Sequence, residues 1–137
     1  MKTPKIIITL IIFLILLSLI PPTTSQTPHT THHNWHTTTP PPQKLIHAKA
    51  ITLHNNIYLF GGITHKGIWS HHVYRYNITT KTWHDETSLL QTRTNFGITT
   101  HNNTIYLIGG NSCGCTGEPT TLNLVQTYNP KTKTWTT

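Results

Sequence analysis

Carboxylates are the scarcest chemistry in this chain. Its 137 residues contain three, Asp85, Glu86 and Glu118, against ten Lys and Arg, for a formal charge of +7. Two of the three are adjacent, and on a strand adjacent side chains diverge to opposite faces. That placement is poor material for paired acid–base catalysis. Thiols are nearly as scarce. Cys113 and Cys115 are the only two, and their one-residue separation is not a usual zinc spacing. Charged residues make up only 9% of the chain, which excludes the self-repelling, solvated kind of disorder. The cations are scattered rather than gathered, so nucleic acid is not an expected partner despite the basic balance.

Thr, His, Asn and Pro fill the space that charge leaves. With Ile, Tyr and Trp, the Thr content suits pleated sheet better than helix. Eleven His invite a metal reading, since imidazole suits Zn or Cu. His32, His33 and His36 lie in "HHNWH", which lacks the Glu of a metalloprotease helix and sits among Pro and Thr. His71 and His72 are adjacent and would diverge on a strand. No metal site, cofactor or catalytic residue is expected. With reference pKa values near 6.5, the histidines would make the chain far more positive in an acidic compartment.

The first 25 residues read as a secretory signal peptide. Lys2 and Lys5 precede an apolar run over 6–20, and "PPTTSQ" supplies a break and small residues before Gln26. The run is shorter than the roughly 20 residues of a spanning helix. A membrane association is therefore expected only if the segment stays uncleaved. Cleavage lowers the charge to +5 (8 basic minus 3 acidic residues) and delivers the chain to an oxidising compartment. Residues 26–43 then form a Thr/His/Pro-rich leader.

The rest of the chain repeats itself. A shift of 48 places Trp35 on Trp83, His36 on His84 and "IYLFGG" (57–62) on "IYLIGG" (105–110), with 11 identities over positions 34–62. Further on the register becomes 52, where "YNITTKTW" (76–83) meets "YNPKTKTW" (128–135). The unit is an apolar strand ending in Gly-Gly, a variable segment, then a Tyr and a Trp seven positions apart. This resembles the kelch repeat. The matching residues are Gly61, Gly62, Tyr76 and Trp83 in one copy and Gly109, Gly110, Tyr128 and Trp135 in the next. The resemblance implies an all-β fold: two kelch-type four-stranded antiparallel blades of a β-propeller, incomplete as a ring.

Strand patterning fits that reading independently. Short runs at 47–53, 55–60, 71–76 and 82–86 are bounded by turn residues. "HNN" at 54–56 and 101–103 and the "NITT" and "NPKT" segments read as hairpin turns. The expected organisation is repeat one at 44–86 and repeat two at 87–137, with 34–39 aligning with the last strand of a preceding unit and so able to close a ring. The glycine pairs let backbones crowd where a side chain would not fit. Tyr and Trp pack blade on blade. Arg93 matches the kelch pattern's basic residue, where the first copy has Leu45. Propellers usually have four to eight blades. Two blades thus imply either a piece of a longer propeller or self-assembly of several chains to complete one.

In such a meander the first–second and third–fourth strand turns share one end and the long loops share the other. The sequons Asn77-Ile78-Thr79 and Asn102-Asn103-Thr104 both fall at the turn end. The loops at 63–72, 87–93 and 111–124 fall opposite. Lys66, Trp69 and Arg93 are the candidate contacts for a protein or glycan ligand, since Trp and Arg are common interface anchors. Cys113 and Cys115 are expected to be oxidised, either to each other or to a partner chain. The favoured function is a secreted or lumenal, non-enzymatic binding module. The alternative implied by the resemblance is a fragment of a secreted kelch enzyme, a sugar oxidase or sialic-acid mutarotase.

Overall fold

Runs rich in Thr, Ile, Tyr and Val, punctuated by Asn and Gly, cannot hold a helix against their own propensity. The computed structural model describes residues 35–113 and 118–137, and no helix occurs among them. The strands are β1 (Leu45–Ile46), β2 (Lys49–Leu53), β3 (Asn56–Phe60), β4 (Ile63–Thr64), β5 (His72–Asn77), β6 (Thr82–Ser88), β7 (Gly97–His101), β8 (Thr104–Ile108), β9 (Asn111–Cys113), β10 (Pro119–Thr121), β11 (Val125–Asn129) and β12 (Thr134–Thr136). Two four-stranded antiparallel sheets result, β2-β3-β5-β6 and β7-β8-β11-β12. These are blade one and blade two. The sheets do not join, so the two blades form no closed ring. Two short ribbons, β1–β4 and β9–β10, stand inside the loops, where turn residues had hidden them from sequence patterning. The stretch read as a signal peptide, the first half of the leader and Cys115 lie outside the described residues.

The turns obey local chemistry. Blade two turns at Asn102–Asn103, both at positive φ (46° and 60°), as a two-residue hairpin demands. Blade one turns at His54–Asn55 instead, with His54 at φ 53°. The "HNN" motifs are thus offset by one residue relative to the strands. At the other hairpins Asn77 Oδ1 accepts from the backbone N–H of Thr79 and Thr80, both at 3.0 Å. Asn129 Oδ1 does the same for Lys131 and Thr132, at 3.0 and 3.3 Å. Lys81 and Lys133 then take the positive φ that ends each turn. An Asn→Ala change at 77 or 129 should cost about 1 kcal/mol, the scale of one local hydrogen bond. Asn→Asp should cost less, and urea unfolding of the four variants would show the order.

Between the blades lies the core. Tyr58, Phe60 and Val73 of blade one meet Ile105, Leu107 and Tyr128 of blade two, with Leu89 and Phe96 from the connection. Strand alternation explains the choice. Phe60 pairs with Val73 and Tyr58 with Arg75, so one face of blade one points at blade two. The opposite face carries Tyr74 and Tyr76. Trp135 seats edge-on against Phe60, with ring centroids 6.4 Å apart.

That opposite face is covered by the end of the leader. Thr38 Oγ1 hydrogen-bonds the Tyr76 hydroxyl, and Trp83 Nε1 donates to Thr39 O at 2.9 Å. Residues 35–39, within the stretch expected to be able to close a ring, belong to no strand. A strand needs a neighbour to pair with, and prolines 40–42, lacking N–H groups, follow directly. The alignment behind the expectation is nonetheless visible in the contacts. Tyr128 donates to Glu86 at 3.0 Å and Trp135 Nε1 to Thr87 at 3.4 Å. Residues 38 and 39 thus serve Tyr76 and Trp83 as 86 and 87 serve Tyr128 and Trp135. Trp83→Phe should remove the bond to Thr39 and make the 35–43 stretch more readily cleaved. Limited proteolysis followed by mass spectrometry would detect this.

Candidate functional site: the loop end and the blade seam

The first–second and third–fourth strand turns do share one end. Ile78 N bonds Asn55 O at 3.1 Å, and Asn55 Nδ2 donates to Thr79 Oγ1 at 2.6 Å. Asn102 is exposed at the tip of its hairpin, whereas Asn77 is half-buried and its carbonyl is used in the turn. At this end Leu53, His54, Tyr58, Asn103, Pro130 and Lys131 bound an open depression of about 300 Å³ between the blades. The long loops gather at the opposite end, tied together by Gly61 N to His72 O (3.2 Å), Leu89 N to His71 O (2.7 Å) and Gly62 N to Arg93 O (3.0 Å).

The β3–β5 loop is a tight, self-bonded projection. Thr64 N bonds Ile68 O at 2.9 Å, Gly67 N bonds Thr64 O at 2.9 Å, and Ser70 N bonds Gly62 O at 2.8 Å. Thr64 is buried and its hydroxyl accepts from Ile68 N at 3.2 Å. Lys66 is therefore displayed at a braced tip, beside exposed His65 and Ile68. Trp69 is half-buried below it, bridged to Ile63. Lys44 and His65, with Pro42 and Gln43, border an open depression of about 420 Å³ at this end.

Arg93 does not join them. It is fully buried, with Nη1 on Leu107 O (3.2 Å), Nη2 on Gln126 Oε1 (3.1 Å) and its guanidinium carbon 5.9 Å from the Phe96 ring centre. Burial pushes its pKa down. The expectation of a ligand contact at Arg93 is thus corrected: Nη1 and Nη2 are spent on blade two, Nε is buried without a partner, and its carbonyl anchors Gly62. Its place in the kelch pattern was the signal for this structural role. Cys113 ends β9 and is half-buried, and the expected oxidation of Cys113 and Cys115 falls partly outside the described residues.

Sequence reasoning missed the seam acid. Val73 faces Thr87 and Tyr74 faces Asp85, so a bulge leaves Glu86 unopposed. Glu86 and Thr87 consequently both reach blade two. The Glu86 side chain is only 3% exposed and accepts from Arg75 Nε at 2.8 Å as well as from Tyr128. Asp85 diverges from it, as alternation requires, and lies 3.2 Å from His72 Nδ1 in solvent. His71 and His72 do not diverge. His71 precedes β5, and the two rings stack at 4.9 Å, continuing onto Tyr74 at 5.4 Å. Among the described residues, no three His, Cys, Asp or Glu converge as a metal site.

Burial pushes the Tyr128 phenol well above its ordinary value of 10.0, and Glu86 adds to the shift by its charge and by accepting the hydroxyl proton. An unfolded tyrosine ionises near 10 while Tyr128 stays protonated. Its contribution is therefore whole below pH 10 and is lost as pH rises further. Circular dichroism across pH 9–12 should show alkaline unfolding that Tyr128→Phe delays, relative to its own neutral stability.

With the blades, the turn chemistry and the seam in place, the comparison with known families is direct. The Kelch motif matches twice, over residues 46–90 and 92–137. The chain belongs to the Kelch motif family. Each kelch match brackets one sheet with its connecting loops. No curated protein sequence matches the chain. A solved structure described as that of YjhT is similar in fold, with a TM-score of 0.61 at 19% identity. The likeness covers 72% of this chain and 28% of YjhT, so the kelch chain here spans under a third of that protein's length.

Proposed function

We propose that this chain is a non-enzymatic kelch binding module, acting in the secretory pathway or outside the cell, that recognises a protein through its loop end. The carrying observation is the braced β3–β5 projection, which presents Lys66 and the exposed Ile68 over Trp69 beside the Lys44–His65 depression. A cation, an apolar side chain and an indole on a rigid support are the ingredients of an interface anchor. Asn77 and Asn102 carry glycans that shield the turn end. Copies of the module associate to extend two blades toward a ring.

The test is capture of secreted proteins and of an arrayed glycan set by the purified chain. Lys66→Ala/Trp69→Ala should reduce capture of its protein ligand at least ~10-fold, whereas changes at Asn102 and Lys131 should leave it intact. Capture of glycans alone, or a loss confined to the turn-end changes, would overturn this assignment. Mass spectrometry of the secreted chain reports glycan occupancy at the two sequons.

A further inference from the structure

At the turn end the two blades share one depression. Leu53, His54 and Tyr58 border it from blade one, and Asn103, Pro130 and Lys131 from blade two. Tyr58 is buried and Leu53 and Pro130 are half-buried, so its bottom is apolar. His54, Asn103 and Lys131 are exposed and supply polar groups at the rim. Tyr58 is only 4% exposed, yet its hydroxyl has no hydrogen-bond partner among the described residues. Arg93 Nε is the one side-chain polar atom among them that is sealed from solvent without a partner. The hydroxyl is therefore the part of Tyr58 that opens on the depression. Burial holds its pKa above the ordinary 10.0, so it remains a donor at neutral pH.

These features select an uncharged, amphipathic ring. An apolar bottom suits the C–H face of a sugar, and the phenol, amide, imidazole and ammonium suit its hydroxyl or acetamido oxygens. The charge of Glu86 acts on Tyr58 and disfavours an anion there. A volume of about 300 Å³ suits a single ring, being at the small end of the roughly 300–1,000 Å³ of ligand cavities. A sugar on Asn102 would start beside this space. Asn102 and Asn103 are the two central residues of the β7–β8 turn, so their Cα atoms are about 3.8 Å apart. Asn102 heads its sequon and is exposed. Its backbone carbonyl accepts from Thr104 Oγ1 at 3.4 Å, and its carboxamide makes no hydrogen bond among the described residues. Asn77 differs, because its side-chain carbonyl is committed to Thr79 and Thr80.

We propose that the depression seats the first N-acetylglucosamine of the Asn102 glycan. This builds on the occupancy of that sequon in the proposed function. The C–H face of the sugar covers Leu53 and Pro130, and the Tyr58 hydroxyl donates to one of its oxygens. Carried by blade two, the sugar thereby touches Leu53, His54 and Tyr58 of blade one. It is a clasp across the seam as well as a shield.

Two enzymatic treatments of the secreted high-mannose glycoprotein test this. Endoglycosidase H leaves one N-acetylglucosamine on each occupied Asn, and peptide N-glycosidase F leaves Asp. Mass spectrometry first establishes occupancy of Asn102. The one-sugar form should melt at least ~4 °C above the sugar-free form, the scale of one ordinary hydrogen bond in a domain of this size. Tyr58→Phe keeps the ring in the core and removes only the hydroxyl, so its gap should be less than about half as large. Any sugar on Asn77 is common to both proteins and cancels from the comparison. Should Tyr58→Phe fail to fold, the exposed rim change Lys131→Ala serves the same cycle. In the wild type, nuclear Overhauser effects should connect the Asn102-linked acetamido methyl to Leu53 or Pro130. Equal gaps in wild type and variant, absence of those effects, or binding of free N,N′-diacetylchitobiose to the intact glycoprotein would each overturn the proposal. An unmodified Asn102 overturns the clasp and the glycan shield together, whereas an occupied Asn102 with equal gaps overturns the clasp alone. Protein capture through the loop end is read with Lys66→Ala/Trp69→Ala and stands or falls separately.

Discussion

Gly61→Ala is expected to be among the most damaging single substitutions in this chain. Gly61 sits at φ +59°, where a Cβ costs roughly 1–2 kcal/mol. That Cβ would also lie 2.3 Å from Arg93 O, the acceptor of the Gly62 N–H. Backbone must move, and the bond between the end of β3 and the blade connection goes with it, at about 1–3 kcal/mol more. A total of about 3 kcal/mol would lower Tm by more than ~10 °C in a domain of this size. Gly109→Ala has a similar φ but no close neighbour and should cost about 1–2 kcal/mol. Equal thermal shifts for the two would refute the crowding argument and leave only the backbone term.

Glu86→Ala is the second large effect. The carboxylate is nearly inaccessible and satisfies Arg75 Nε and the Tyr128 hydroxyl at once. Removing it leaves the Tyr128 phenol without a partner and the Arg75 guanidinium, a quarter exposed, with Asn56 alone, a loss of about 3 kcal/mol. Glu86→Gln keeps one acceptor for Tyr128 and should lie between. Asp85→Ala next door breaks only an exposed pair with His72 and should change stability by less than ~1 kcal/mol. Chemical denaturation should therefore separate two neighbouring acids by a factor of several in free energy. Similar losses at 85 and 86 would show that the bulge does not direct Glu86 into the seam.

Much of the architecture is legible in the residues because it rests on short-range rules. Asn77 and Asn129 build their turns from their own side chains, so the two octapeptides announce two hairpins wherever they occur. Alternation assigns Phe60 and Val73 to one face and Tyr76 to the other without reference to any neighbour. The candidate contacts fared differently. Lys66 and Trp69 lie on the loop end that strand order predicts. Arg93 lies in a loop by sequence but is fully buried, because Leu107 O and Gln126 offer acceptors from a sheet the local sequence does not contain. Glu86 was unreadable for a related reason. Alternation alone cannot foresee a one-residue bulge, and the bulge decides which acid is buried.

The leader shows where local information stops. Its likeness to 82–87 is written in the sequence, and the contacts of Thr38 and Thr39 follow it. Whether such a segment becomes a strand depends on a partner edge, and the sequence cannot supply that by itself. By itself it determined an all-β chain of two kelch units, with the turns, the glycine pairs and the faces of each strand. Only the tertiary structure decided that Arg93 and Glu86 belong to the seam. Propensity, chirality and alternation act within a few residues, whereas the burial of a charge and the covering of a face are set by contacts between distant strands.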